Sequence, residues 1–246
     1  MTALLKTTWV ELKLFAREPL TVVFTFAIPL AFLFVLGGVF GNHPDPEVYR
    51  GFGAMDYYVP AYIALVVASI GLIALPVHLA SYRERGVLRR FRASSIPTWS
   101  VFGAQAAVTF IIGTLASLLL VAVASVTYHT ESPRSPVGVV AAFALGTLTF
   151  ATIGLFLGLV LPTARAAQGA GVLLWFVMLL IAGGGPPFEV LPTAMVRVGD
   201  ATPLKHMVLL LQDPWLGLGW NGLEMVIVVG FLVVPALLTF AVVRRG

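Results

Sequence analysis

The sequence contains no cysteine, which excludes disulfide bonds, thiolate metal sites and cysteine nucleophiles. Charge is also scarce. The 15 Lys and Arg and 11 Asp and Glu residues make up 11% of the chain, against roughly 25% in soluble domains. Apolar residues reach 59% of the 246 residues, more than a globule of this length can bury. The composition therefore argues against a soluble enzyme, a disordered chain or a nucleic-acid-binding domain, and it indicates a membrane protein.

Sequence motifs for catalysis are missing as well. The chain has no G-x-x-x-x-G-K-[ST] loop for nucleotide phosphates, no H-E-x-x-H zinc motif and no G-x-S-x-G nucleophile motif. Its histidines, at positions 43, 78, 129 and 206, lack the spacing of metal ligands. We therefore expect no catalytic residues, no metal site and no cofactor in this chain.

What the sequence has in abundance is long uncharged apolar segments. A bilayer core needs about 20 apolar helical residues to be crossed. Six segments meet that length, at about 20–40, 58–80, 102–127, 137–161, 166–183 and 223–243. We predict an all-α membrane protein in which residues 1–246 form a single transmembrane domain.

The distribution of basic residues predicts the orientation of the chain. With six spans both termini lie on the same side, and that side carries 11 of the 15 Lys and Arg residues. Because basic residues concentrate in cytoplasmic loops, we predict cytoplasmic termini. A cleaved signal peptide is the competing interpretation of the N-terminus, and Glu11 and Glu18 argue against it.

The segment before the first span has the pattern of a helix lying in the membrane interface. Its apolar residues recur at helical spacing: Leu5, Trp9, Leu12 and Ala16. Its basic residues fall on other faces, and Pro19 is expected to end the helix. We predict an interfacial helix over 3–17; the alternative is an unstructured basic flank.

The loop between the second and third spans carries five arginines and one glutamate within residues 83–92. On a helix, Arg85, Arg89 and Arg92 share one face. The opposite ridge is apolar: Val87, Leu88 and Phe91. The arginines alone fit a loop that binds anionic lipid, whereas the apolar ridge favours docking to a cytoplasmic partner. The pattern leaves both interpretations open.

The segment 183–221, between the last two spans, is too apolar for a solvated loop. We predict one short helix opened by Pro192 and Thr193, capped by Thr193 and stopped at Gly199, and a second capped by Thr202 and stopped at Asp213–Pro214. Irregular backbone at membrane depth has to be buried in protein. The two helices are therefore expected to dip into the outer leaflet, the alternative being a lid on the outer surface.

The spans lack charged residues at their centres, which weakens an ion-driven mechanism. His78 is the only histidine within a span, and helix packing is its simpler role. Prolines at 29, 76 and 235 are expected to distort their helices. Gly154 and Gly158 have the spacing of a close helix contact, a weak signal in a chain with 24 glycines.

Two sequence stretches resemble a known family. RERGVLRRFRAS at 83–94 looks like the RE-x-G-T-L-x-R-L-R-x-S-P loop of type-2 ATP-binding-cassette (ABC) exporter permeases. PFEVLP at 187–192 followed by TPLKH at 202–206 looks like their P-x-E-x-L-P … N-P-L segment. The sequence departs from this pattern at Val87, where threonine is common, and at Ile96, which separates Ser95 from Pro97. The whole chain resembles the six-helix group that includes actinomycete drug and antibiotic efflux permeases.

This resemblance implies roles for particular residues. The N-terminal helix would be the family's elbow, and the arginine loop would be the coupling helix that contacts a separate cytoplasmic ATPase. The coupling residues would be Glu84, Arg85, Val87, Leu88, Arg89 and Phe91. The outer segment would contribute a gate, with Phe188, Glu189 and Leu191 as its candidate residues.

The resemblance also implies a function. The chain would be the permease of an ABC exporter in the plasma membrane, moving a drug, an antibiotic or a lipid outward. ATP and Mg²⁺ would bind to the ATPase subunit, and a second copy or a related permease would complete the pathway. Two alternatives remain: an ion-gradient-driven transporter, for which His78 is the one candidate residue, and a membrane scaffold that transports nothing.

Overall fold

The computed structural model describes residues 3–87, 90 and 98–245. The helices, in chain order, are α1 (Ala3–Phe15), α2 (Pro19–Phe40), α3 (Ala54–Glu84), α4 (Thr98–Tyr128), α5 (Pro136–Val160), α6 (Ala164–Ile181), α7 (Thr193–Gly199), α8 (Pro203–Leu216) and α9 (Gly222–Arg245). A single 3-10 turn, Phe188–Val190, precedes α7. Extended pairing in the described residues amounts to one isolated bridge between Pro44 and Gly53.

Six of these helices are long and apolar enough to cross a bilayer, namely α2 to α6 and α9. The predicted all-α class and the predicted number of spans are confirmed. Helix α3 extends beyond the predicted 58–80 at both ends. The helix can include the charged residues Asp56 and Arg83 because their side chains form hydrogen bonds with the backbone of other segments, at Glu131 and Leu161.

Helix α3 is the centre of the bundle. Within its most apolar stretch 94% of the residues are buried, whereas the other five spans are buried at 11–44%. It packs against α2, α4, α5, α6 and α8. A helix that is apolar on nearly every face, as α3 is between Val59 and Val77, is typically enclosed by other helices.

Two spans contain a π-helical turn just before a proline. The turn Val23–Ala27 precedes Pro29, and the turn Ile70–Ala74 precedes Pro76. A proline ring clashes with the carbonyl four residues earlier and donates no hydrogen bond to it. The wider π turn accommodates that clash. The distortions predicted at these two prolines therefore take the form of π turns, whereas Pro235 lies inside α-helical α9.

Glycines bring α5 and α6 directly against the backbone of α3. A Cβ added at Gly154 would lie 2.2 Å from the carbonyl oxygen of Gly71. One added at Gly171 would lie 2.0 Å from the carbonyl oxygen of Leu72. One added at Gly158 would lie 2.8 Å from a side chain of α3. The close contact predicted from Gly154 and Gly158 is confirmed.

The connecting segments gather at two opposite ends of the bundle. The basic end consists of α1, the C-terminal end of α3 and the turn 161–163. The proline-rich end consists of the loops 41–53 and 129–135 and the segment 182–221. Hydrogen bonds join the members of each end, such as Arg83 to Leu161 and Arg134 to Trp215. The described start of the arginine-bearing loop, residues 83–87, and the proline-rich segment thus lie at opposite ends.

The two short helices predicted in the segment between α6 and α9 are present, but their starts differ from the prediction. Pro192, and not Thr193, holds the N-cap position of α7. Thr202 holds the N-cap position of α8, yet its hydroxyl donates to the carbonyl of Gly199 (2.7 Å) and does not cap the helix.

The predicted end of α8 at Asp213–Pro214 is wrong. The helix continues through Pro214 to Leu216 and ends at Gly217, whose φ of 78° is left-handed. A glycine in this conformation is a common helix terminator. Helix α8 packs among α3, α5 and α9, and nearly all of its side chains are buried.

Candidate functional site

The C-terminal end of α3 is bonded to the turn between α5 and α6. The guanidinium of Arg83 donates to the carbonyl oxygens of Gly158 (3.1 Å) and Leu161 (2.9 Å). The carboxylate of Glu84 accepts a hydrogen bond from the N–H of Ala164 (3.2 Å) in the first turn of α6. The first N–H groups of a helix lack helical partners and favour negative charge. Glu84 therefore stabilises the start of α6 and joins it to α3.

On its other side, the end of α3 is bonded to α1. The hydroxyl of Tyr82 donates to Oε1 of Glu11 at 2.6 Å, and Nδ1 of His78 lies 3.5 Å from Oε2 of the same carboxylate. Glu11 is 1% exposed. A carboxylate so far from water requires polar partners of this kind. The Glu11–His78–Tyr82 cluster thus fixes α1 to the central helix.

Helix α1 buries its carboxylate together with Phe15, and it exposes large apolar side chains beside Lys6 and Lys13. Leu5, Trp9 and Val10 are each more than half exposed, at 54%, 58% and 51%. A helix packed on a protein in water has the reverse arrangement, with its apolar face inward. The outward face of α1 therefore suits an apolar environment.

Three of the six residues predicted to contact an ATPase lie in the described part of the chain. Glu84 bonds to α6, as above. Arg85 is exposed at the C-cap of α3, and its carbonyl accepts a hydrogen bond from the guanidinium of Arg90 (3.2 Å). Val87 is half-buried. The other three lie outside the described residues: Leu88, Arg89 and Phe91. The three described residues thus lie at the C-terminal end of α3 or directly after it.

The predicted gate residues lie at the opposite end, after α6. The hydroxyl of Tyr57 donates to Oε2 of Glu189 (3.0 Å) and accepts a hydrogen bond from the N–H of Phe188 (3.4 Å). Leu191 follows the same 3-10 turn and is half-buried. The structure thus brings Phe188 and Glu189 together on the first turns of α3, with Leu191 next to them in the chain.

A cluster of tyrosine rings adjoins this turn and was not predicted from the sequence. Tyr49, Tyr57, Tyr58 and Tyr62 form a chain of rings whose neighbouring centroids are 5.5–5.9 Å apart. Burial raises the pKa of Tyr49, and the carboxylate of Asp45 raises it further. The available signal was the repetition of tyrosine at one end of a predicted span, where amphipathic rings are enriched.

Charged side chains join the loop 41–53, α8 and the start of α9. The guanidinium of Arg50 lies 3.0 Å from Oδ1 of Asp213, whose other oxygen accepts from the amide of Asn221 (2.9 Å). Nearby, the imidazole of His206 is bonded to the carboxylate of Glu224. These contacts fix α8 between a distant loop and the last span.

Two apolar grooves run along the sides of the bundle. One, of about 410 Å³, lies between α4 and α5 near the proline-rich end and includes Phe110, Phe143 and Trp215 in its lining. The other, of about 360 Å³, lies between α4, α5 and α9 near the basic end. Grooves of this kind can hold the apolar part of a lipid or of an amphipathic small molecule.

A sequence profile of the ABC-2 type transporter family matches residues 2–213. The probable multidrug ABC transporter permease YbhR of Escherichia coli K12 is 24% identical over 185 residues, which cover 70% of this chain and 48% of that protein. The putative transport permease YvfS of Bacillus subtilis strain 168 is 25% identical over 210 residues, 84% of this chain and 82% of that protein. The chain thus spans about half the length of the E. coli relative.

Proposed function

The chain belongs to the ABC-2 type transporter family, and we propose that it is the membrane-spanning permease subunit of an ABC exporter. A separate cytoplasmic ATPase binds ATP and Mg²⁺ and drives transport. The permease pairs with a second copy or a related permease and moves an amphipathic or hydrophobic substrate, such as a drug, an antibiotic or a lipid, outward across the plasma membrane. The observation that carries the proposal is the bonded end of α3, which leads directly into the arginine-rich loop.

The proposed orientation places the basic end in the cytoplasm. The charge asymmetry of the loops supports this, since 11 of the 15 basic residues belong to that side. We also propose that α1 lies in the membrane interface as an elbow helix, with Trp9 at the depth of the lipid headgroups. The exposure of Leu5, Trp9 and Val10 on the face of α1 that points away from the bundle supports this.

The contacts at the end of α3 supply a route for force from the ATPase. A displacement of the loop after Arg85 would act on Arg83 and Glu84, which are bonded to the α5–α6 turn. The same displacement would act on Tyr82, which is bonded to α1. Movement at one cytoplasmic loop would therefore reposition α1, α3 and α6 together.

At the other end, we propose that α7 and α8 are re-entrant and contribute the outer gate. The burial of α8 among α3, α5 and α9 supports this, since irregular segments at membrane depth have to be covered by protein. The bond between Tyr57 and Glu189 would hold the gate closed and would break when the bundle opens outward.

The proposal is tested with the permease co-expressed with its ATPase and reconstituted in proteoliposomes. Replacing both Leu88 and Phe91 with Asp is expected to abolish co-purification of the ATPase, because the apolar ridge then carries two charges. Glu84→Gln is expected to keep the ATPase bound but to reduce substrate-stimulated ATP hydrolysis, because α6 loses its anionic partner. The matched control is Glu131→Gln, which removes an exposed carboxylate at the opposite end. Full association and unchanged hydrolysis in the double Asp variant would contradict the proposal.

The competing function is transport driven by an ion gradient. The observation in its favour is the buried contact between Glu11 and His78, two titratable groups. If His78→Ala abolished transport while vanadate, an inhibitor of ABC ATPases, left wild-type transport intact, this function would replace the one proposed. The ABC exporter predicts the reverse: transport stops with vanadate and persists, at reduced protein stability, in His78→Ala.

A further inference from the structure

The groove near the basic end has a fixed apolar wall. Its volume is about 360 Å³, and its lining consists of Phe102, Thr152, Leu155, Ala236, Thr239, Phe240 and Val243. The hydroxyls of Thr149 and Thr152 lie 3.3 Å from the carbonyl oxygens of Val228 and Leu232 in α9, and each also makes a 2.9 Å hydrogen bond within α5. Helices α5 and α9 are thus in close contact along one side of the groove.

A cation lies at the rim of this groove. The guanidinium of Arg244 lies over the ring of Phe240, 4.2 Å from the ring centroid. Arg244 is exposed, and among the residues that the structure describes no carboxylate forms an ion pair with it. A guanidinium stacked on a ring keeps its N–H groups available for a phosphate, which it can bind with two parallel hydrogen bonds.

The groove wall also contains a polar group that the described part of the chain leaves unpaired. The hydroxyl of Thr239 is buried and has no hydrogen-bond partner there. This hydroxyl is shielded within the groove wall, so the surface that a ligand meets is apolar up to the cation at the rim. That layout matches a phospholipid, whose acyl chains lead to a phosphate.

We infer that this groove binds an anionic phospholipid of the leaflet at the basic end, with an acyl chain against Phe102 and Leu155 and the phosphate at Arg244. Charge complementarity selects the anionic class. A zwitterionic headgroup brings its own cation, which competes with the guanidinium for the phosphate, and cytoplasmic leaflets carry anionic lipid. The site is independent of the transported substrate, because it requires only that the chain spans a bilayer.

The test is photolabelling of the full chain in phosphatidylcholine nanodiscs with phosphatidylglycerol that carries a diazirine in one acyl chain. After irradiation, mass spectrometry maps the labelled residues. We expect labels on the groove lining of α4, α5 and α9. Unlabelled phosphatidylglycerol should suppress them, and added phosphatidylcholine should not. Labels spread evenly over all the lipid-facing helices, or equal competition by the two lipids, would overturn the inference.

Two variants separate the headgroup contact from the groove. Arg244→Gln should reduce groove labelling about fivefold, the effect of one basic residue at an anionic surface. Arg197→Gln, at an exposed position of α7 at the opposite end, should leave it unchanged. Ala236→Phe fills the groove from a half-exposed position and should suppress labelling there whatever the headgroup. Equal effects of the two arginine variants, or full labelling in Ala236→Phe, would contradict a specific site.

Discussion

The hydrogen bond between Tyr82 and Glu11 connects residues 71 positions apart and fixes α1 to the central helix. Glu11 is almost fully buried, so its carboxylate depends on the groups that surround it. In such a setting a hydrogen bond is electrostatically stronger than in water, and an unpaired oxygen is costly. The stability of the basic end should therefore respond to the loss of a single hydroxyl.

Tyr82→Phe retains the ring and removes that hydroxyl. We expect the free energy of unfolding to fall by about 1–3 kcal/mol, because one oxygen of Glu11 loses its donor while remaining buried. Thermal unfolding of the purified chain in detergent measures the change. Tyr128→Phe is the matched control, since within the described residues its hydroxyl makes a single hydrogen bond, an exposed one of 3.3 Å to the carbonyl of Phe34. Equal changes in the two variants would show that the Tyr82–Glu11 bond does not stabilise the basic end.

At the scale of helices, the position of α6 is set by a glycine that lies against the backbone of α3. Gly171 faces the carbonyl of Leu72, whereas Gly169, two residues earlier in the same helix, has no atom within 4 Å of an added Cβ. One glycine is thus required by packing, and the other is free to change.

Gly171→Ala should destabilise the protein by about 1–3 kcal/mol or more, because a methyl group 2.0 Å from a backbone oxygen forces α6 away from α3. Gly169→Ala should be neutral or stabilising by up to about 1 kcal/mol, since alanine favours helix and meets no neighbour. Thermal unfolding of both variants tests the pair. If Gly169→Ala were the more damaging substitution, the packing of α6 would differ from that described.

The same scale shows what the sequence could predict. Six apolar runs sufficed to predict six spans, because the bilayer requires about 20 apolar residues of any helix that crosses it. The stop predicted at Pro214 was wrong because the last turn of α8, Pro214 included, is buried against other helices, and tertiary packing overrides the local preference of proline. The central place of α3 could only be suspected from its uniform apolarity, since burial depends on the arrangement of all the helices.

Only those parts of the candidate site that consist of residues close together in the chain could be predicted from the sequence. The turn at Phe188 and Glu189 was identified from its motif, whereas its partner Tyr57 lies more than 130 residues away. Glu11 and His78 were each seen as isolated residues, because no local pattern reveals that α1 folds back onto α3. Contacts between distant segments follow from the tertiary fold and leave no spacing to detect.

For the whole molecule, the separation of a basic end from a proline-rich end predicts which residues are reachable from each side of the membrane. Because the chain has no native cysteine, any cysteine introduced is its only thiol. Val190 is exposed at the proline-rich end, and Arg17 is exposed at the basic end. The variants Val190→Cys and Arg17→Cys therefore place one accessible thiol at each end.

In intact cells, a membrane-impermeant maleimide should label Val190→Cys and leave Arg17→Cys unlabelled. After the membrane is permeabilised, both variants should react. The permeabilised sample is the control for the reactivity of each thiol. Labelling of Arg17→Cys alone in intact cells would invert the proposed orientation and place the arginine loop outside the cytoplasm.

We propose that this chain is a permease moved by an ATPase that binds at its basic end. The most direct measurement is site-specific photo-crosslinking in cells, with a benzophenone amino acid at position 87 in one variant and at position 190 in another. Position 87 should form an adduct with a protein that carries a P-loop and an ABC signature, and position 190 should form none. An ATPase adduct from position 190, or the lack of one from position 87 when that ATPase is co-expressed, would contradict this proposal.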